Sequence, residues 1–352
     1  MLTGDTSLGD AYLRKAGAAR YLERLETNPT GFFEALSPLI CDKSYLIANL
    51  ATVLAEAPRG PLDEIKGHLA WDKPDRTVMA LKQIGVDAVS LGNNHTMDYG
   101  PERLTETISA LVEAGIAVVG AGDNLNEASK ALKIASVYGD VYVMAGFEVR
   151  AKYKDVYRFY AEEGRPGVNP FANGEASQIA RSISRIRAQD PQAVIIAYPH
   201  WGGAANYHWA NARMFKENQS FMAAGADLVL GHGAHMLQQV LAGELGTTAF
   251  SLGNFVFNSP GGYKRNNAPP YSLICRLDLK RADSRWAGTL RLYPIVSDNR
   301  GTRYRPRPVR EAEALEIYSL LDHNTESGFR EAFVLERDER GWYLARTTPL
   351  SP

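Results

Sequence analysis

Cysteine is nearly absent from this chain. Two in 352 residues, Cys41 and Cys275, stand far apart and form neither a disulfide framework nor metal-ligand spacing. Packing is the expected role of both, because Cys41 ends an apolar run and Cys275 falls in a predicted strand. Also missing is any apolar run long enough to cross a bilayer, so no membrane helix is expected. The first residues lack the basic segment and apolar core of a signal peptide, and the expected location is the cytoplasm. Charge of one sign is lacking too: formal net charge is −1 and the pI about 6.7. Nothing therefore steers the molecule towards nucleic acid or an anionic membrane, and neither is expected as a partner. The one basic run, Arg303 to Arg310, is broken by proline and offset by acidic residues after it, so it reads as a solvated loop. Internal repeats and low-complexity tracts are absent.

What is present is an ordinary globular composition, 45% hydrophobic and 22% charged. Much of the chain repeats an apolar strand, a polar or glycine-rich turn, and an amphipathic helix. Strands are predicted at Met1–Thr3, Tyr45–Ala48, Ala88–Leu91, Ala117–Val119, Ala193–Tyr198 and Leu228–Leu230. Helices are predicted over 18–26, 30–36, 74–84, 101–114, 176–188 and 209–224, with Pro74 and Pro101 as starts. Lys133–Val137 and Val141–Phe147 flank Gly139-Asp140 as a hairpin, and residues 150–175 read as irregular. After His235 strands dominate: Thr247–Leu252, Tyr271–Leu279 and Leu290–Val296. A helix near 311–321 and a hairpin around Asp338–Gly341 finish the chain. The pattern points to one α/β domain with mixed sheets over 1–300, and a helix-and-hairpin extension over 301–352 packed on it.

The chemistry collects just past predicted strand ends. Leu228-Val229-Leu230 runs into Gly231, then His232 and His235 with only Gly233 and Ala234 between. Asp5, Asn94, His95, His200 and Asn254 occupy comparable places after other strands, where open α/β sheets bind ligands. Singly, Asp and Asn are turn formers and a histidine is an ordinary hydrogen-bonding residue. Together they favour a metal centre, since imidazole, carboxylate and amide oxygen suit manganese, iron or zinc.

In order along the chain come Gly4-Asp5-x-x-Leu8-Gly9, Asn94-His95-x-x-Asp98-Tyr99-Gly100, His200-Trp201-Gly202, Gly231-His232-x-x-His235-x-Leu237-Gln238 and Ser251-Leu252-Gly253-Asn254-Phe255. As a set these motifs resemble those of the CapA family, the capsule and poly-γ-glutamate synthesis proteins with the metallophosphoesterase (calcineurin-like) fold. The resemblance implies a four-layer α/β/β/α sandwich with the metal site at the sheet edge. It implies one or two divalent ions (Mn2+, Fe2+ or Zn2+), Asn94, His200 and His232 binding one, and Asp5 and His235 facing the other. It gives Asp5 and His95 catalytic roles, His95 protonating the leaving group or stabilising developing charge.

One departure stands out. Where the family reads Asn-Leu-Glu this chain reads Asn49-Leu50-Ala51, without the carboxylate. The expectation is a weakened or empty Asp5/His235 site beside a persisting Asn94/His200/His232 site, with Asp10 and Glu56 as nearby carboxylates. Arg150, in the basic segment 150–170, and Lys264 and Arg265, in the proline-bounded segment 260–270, are candidates for binding an anionic substrate, with Asn254 beside them. Three functions follow: a metal-dependent hydrolase acting on a phosphate ester or a glutamyl or peptide amide; a non-hydrolytic accessory protein serving a polyglutamate or peptide ligase partner; and a metal-assisted amide-forming enzyme. The first leads, because His95 beside Asn94 supplies an acid that a pure binder does not need.

Overall fold

The strand Val194–His200 shows how the chain is layered. Val194, Ile196 and Tyr198 join a buried cluster with Leu228 and Leu230 and, from the opposite sheet, Leu2, Ile47, Ala88 and Val119. Ile195 and Ala197 join another cluster, with Ile179 and Ile183 of the helix Gln178–Gln189 and Met214 and Phe221 of the helix Ala212–Ala223. Strand side chains alternate between faces, so one strand serves both an inter-sheet core and a helix-covered surface. The computed structural model describes residues 1–15, 19–137, 139–172, 177–282, 285–325 and 328–347. Ala18 and Ala176, at the starts of two predicted helices, and 173–175 of the predicted irregular stretch lie outside the described residues.

Two large mixed sheets carry the fold. In the ten-stranded sheet the central path runs Phe333–Arg337, Trp342–Arg346, Arg285–Val296, Tyr271–Ala282, Leu2–Ser7, Ile47–Leu50, Ala88–Ser90, Ala117–Val119. The last four lie parallel, and Tyr271–Ala282 joins Leu2–Ser7 antiparallel. The strand Asn254–Phe257 also pairs with Leu2–Ser7, in parallel. The seven-stranded sheet sets Val141–Glu148, Val194–His200, Leu228–Leu230 and Gly246–Ala249 side by side and parallel, with antiparallel strands at its margins. Helices Pro74–Gln83 and Pro101–Glu113 bury Leu81, Leu104 and Leu111 against Leu50, Val89 and Leu91. The α/β class with mixed sheets is as expected.

Several boundaries differ. The first strand runs to Ser7 rather than Thr3, so Asp5 lies within a strand and not after one. Gly4-Asp5-Thr6-Ser7 has loop-like composition, yet Gly4 is there for proximity: a Cβ on it would lie 1.8 Å from Gly253 O. His200 is the last residue of its strand, and Asn254 opens one. Residues 30–36 form short 3-10 turns, Pro29–Phe32 and Glu34–Leu36, instead of one helix. The C-terminal hairpin, Phe333–Arg337 with Trp342–Arg346, continues the ten-stranded sheet by pairing with Arg285–Val296.

Candidate metal centre

Strand register delivers the site. Leu2 pairs with Ile47 but Asp5 with Asn49, so the first strand spends three residues where its neighbour spends two. Such a bulge re-aims side chains. The Asp5 side chain thereby meets His200 and His232, which end the inward-facing series 194-196-198 and 228-230 of the other sheet. His200 and His232 form a bridge at the ends of adjacent strands, with Trp201 N donating to His232 O and His232 N to Pro199 O. Gly233, at φ +104°, permits the approach, because a Cβ there would lie 2.9 Å from His200 Nε2.

Asp5, His200 and His232 are the one group of His, Cys, Asp or Glu side chains among the described residues whose donor atoms converge closely enough to hold an ion. His200 Nδ1 is 2.9 Å from His232 Nδ1, and Asp5 Oδ1 is 3.8 Å and 3.6 Å from these nitrogens. All three residues are buried. Asp5 Oδ2 and His232 Nε2 have no hydrogen-bond partner among the described residues, although buried polar atoms normally find one. A cation accounts for a carboxylate oxygen left in this state better than any neighbour present. Burial holds His200 well below its usual value, against the pull of Asp5, so its imidazole is neutral and able to ligate. Burial opposes the Asp5 carboxylate, but His232 and the surrounding imidazoles outweigh it and hold the group below the usual range. Donors and protonation states suit a divalent metal.

His235 lies beside this group rather than in it. Its Nδ1 is 3.4 Å from Asp5 Oδ2 and 3.0 Å from Asn254 Oδ1, and its backbone is left-handed, at φ 64°. Asn254 also donates to the Tyr263 hydroxyl, whose own proton goes to His235 O. His95 is buried, with Nδ1 2.7 Å from Asp98 Oδ2, and its ring and that of His235 both flank Phe257. Burial pushes His95 below its ordinary value, with Asp98 opposing. Asn94 is half-buried; its carbonyl accepts from Lys66 Nζ, and its side-chain amide makes no hydrogen bond to the described residues.

Of the candidate anion binders, Arg150 lies near enough to bear on His200. Its Nε donates to Glu148 Oε1 (2.6 Å), its guanidinium lies over the Phe147 ring, and a Cβ on Gly203 would meet it at 2.5 Å. Arg265 is exposed but close enough for its charge to bear on Tyr207 and His68. Lys264 is exposed with no polar partner of its side chain among the described residues. Asp10, expected as a spare carboxylate, is held by Arg76, Arg14 and Lys73 N, and Glu56 is exposed.

Five residues without an assigned role support the site. Asn49 Nδ2 donates to Asp5 Oδ1 at 2.8 Å, and Asn93 Nδ2 donates to Asn49 Oδ1 and Leu50 O. Lys66 forms a buried ion pair with Asp98 and so reaches His95 through it. Glu148 fixes Arg150. The sequence signal for Asn93, Asp98 and Asn49 is their place beside motif residues; Lys66 and Glu148 carry none.

Residues 1–259 match the family described as "Bacterial capsule synthesis protein PGA_cap". The "PGA biosynthesis protein CapA" of Bacillus subtilis is 25% identical over 267 residues, 75% of this chain and 67% of that protein. The "Capsule biosynthesis protein CapA" of Bacillus anthracis is 27% identical over 230 residues, 64% of this chain and 53% of that one. A "Probable polyglutamine synthesis accessory protein" of Mycobacterium tuberculosis is 28% identical over 262 residues, 67% and 68% respectively. The chain thus spans between about half and two thirds of these relatives' lengths. Among the described residues no helix is long and apolar enough to cross a membrane. With the matched region taking in all of Asp5, His200 and His232, the chain belongs to the bacterial capsule synthesis (PGA_cap, CapA) family.

Proposed function

We propose that this chain is a divalent-metal-dependent hydrolase of metallophosphoesterase type, acting on a phosphate ester or on a glutamyl or peptide amide during synthesis of a polyglutamate-like or peptide product. The observation that carries the reading is the buried Asp5/His200/His232 group with its unpartnered Asp5 Oδ2 and His232 Nε2. In this reading the two sheets and their helices form the four-layer α/β/β/α sandwich of that superfamily, and the substrate is anionic. When bound, a divalent ion would polarise the substrate oxygen and lower the pKa of water.

The chain's own residues do the rest. Asp5 supplies negative charge and is steadied by Asn49. His200 and His232 offer imidazole nitrogens, and in this reading the Asn94 amide oxygen adds a further donor. His95, neutral at pH 7, keeps its proton on Nδ1 against Asp98, which leaves Nε2 to take a proton and pass it on. Arg150, whose Nε is braced by Glu148, would offer Nη1 and Nη2 to a carboxylate or phosphate.

The test is turnover of a chromogenic phosphodiester and of γ-glutamyl-p-nitroanilide by protein loaded with Mn2+ or Zn2+. One of them is expected to be hydrolysed, with activity abolished by chelation and by Asp5→Asn. Metal-loaded protein inert on both would transfer the assignment to a second reading, a non-hydrolytic accessory protein to a ligase. That reading is favoured by the single carboxylate at the cluster.

A further inference from the structure

Charge and hydrogen bonding around the cluster limit what it can hold. Among the described residues Asp5 is its only carboxylate. The other buried carboxylates that surround the region are engaged: Asp98 by Lys66, His95 and Ala70 N; Asp72 by Ser7 Oγ, Leu8 N and Asp10 N; Glu148 Oε1 by Arg150 Nε and Gly203 N. The cations nearby, Arg150 among them, add positive charge and not negative. One dication with one carboxylate leaves a modest positive excess. A second dication would sit against the first with no further anion to separate them.

His235 is also committed elsewhere. Its Nδ1 faces Asn254 Oδ1 at 3.0 Å, and the orientation of that amide is set by Nδ2 donating to Tyr263 Oη. An acceptor opposite Nδ1 requires that nitrogen to carry the proton, so Nδ1, the ring nitrogen 3.4 Å from Asp5, has no lone pair for a metal, and His235 does not join the group whose donor atoms converge. The left-handed backbone at His235 and the Tyr207 ring stacked on it (5.2 Å between centroids) hold the side chain in this pose.

We infer that this chain binds a single divalent ion, between Asp5, His200 and His232, and that His235 stands outside the coordination sphere as a support for Asn254. The inference rests on the metal-centre reading above but is separable from it. Ala51 marks where the missing charge would enter. It is buried and lies one residue past the strand Ile47–Leu50, where its N, donating to Thr6 O, continues the pairing, so the alternation of side chains sets it on the same side as Asn49, which reaches Asp5.

The experiment is Mn2+ stoichiometry, by calorimetric titration of metal-free protein and by elemental analysis after desalting. Wild type is expected to bind one Mn2+ per chain, Asp5→Asn none, and Ala51→Glu two, whereas the neutral Ala51→Gln stays at one. His235→Ala, which does not depend on the buried Ala51 position tolerating a larger side chain, is expected to keep its one ion with affinity within about tenfold of wild type. Two ions in wild type, or loss of the ion in His235→Ala, would overturn the inference and leave the hydrolase reading standing. No ion in wild type would overturn both.

Discussion

At the scale of single residues, Asp98 does most for the catalytic proposal while touching no ligand of the ion. It accepts from Ala70 N, from His95 and from Lys66, whose own side chain is 5% exposed. Removing one partner of a buried pair strands the other charge, at a cost of about 3–5 kcal/mol. Asp98→Ala is therefore expected to destabilise the fold by that amount in urea unfolding; a loss under about 1 kcal/mol would show that Lys66 finds water instead. Asp98 was visible in the sequence as part of Asn94-His95-x-x-Asp98, but its partner was not, because Lys66 lies in a segment with no regular pattern. Arg150 shows the converse. A basic segment suggested it, and the Glu148 side chain two residues earlier and the Gly203 backbone give it a fixed pose. Trp201, which follows His200 in its motif, is core: it is buried, stacks on Phe221 and Phe250, and donates to Phe250 O.

Among the elements, the opening strand matters most. Its bulge turns Asp5 inward, and its pairing with Asn254–Phe257 depends on Gly4 lying almost against Gly253 O. Gly4→Ala forces these backbones apart and is expected to cost about 1–3 kcal/mol, the range for overpacking. Because the displaced strand carries Asp5, Mn2+ affinity is expected to fall along with the melting temperature. Wild-type affinity in a destabilised Gly4→Ala protein would separate the two roles. Helices at Pro74–Gln83 and Pro101–Glu113 were legible from proline starts and glycine stops, and the Leu228–Leu230 strand from its apolar run. Composition alone ends the opening strand too early, because Gly4-Asp5-Thr6-Ser7 has turn composition. Burial and pairing to three neighbours override that local preference. Asn254–Phe257 was hidden for a similar reason, since Gly253-Asn254 resembles a strand stop.

For the whole molecule, acid is expected to act through the buried imidazoles. His200 and His95 both have folded-state values held below the ordinary 6.5 by burial. The unfolded chain takes up those protons first, so stability present above about pH 6.5 is lost as pH falls. Asp72, pushed up to about 6 by burial and by Asp10, works the other way, since its protonation favours the folded form. Asp227, also raised by burial, acts in the same sense as Asp72, while His68, lowered by burial, and the Met1 amino group, lowered by burial to about 6, act with the imidazoles. The melting temperature of metal-free protein is thus expected to drop between about pH 7.5 and about pH 5.5; a flat or rising profile would contradict neutral burial of the histidines. The order of motifs located the centre, but no local pattern reports that Asp5 belongs to one sheet and His200 and His232 to the other. That division has a mechanical side. Tyr198 already ties the sheets by donating to Thr3 O, two residues before His200 on one strand and two before Asp5 on the other. An ion gripped by all three side chains would be a rivet through the same seam, so that loading the protein also clamps its two halves, and a chelator would act as a solvent for the joint between them.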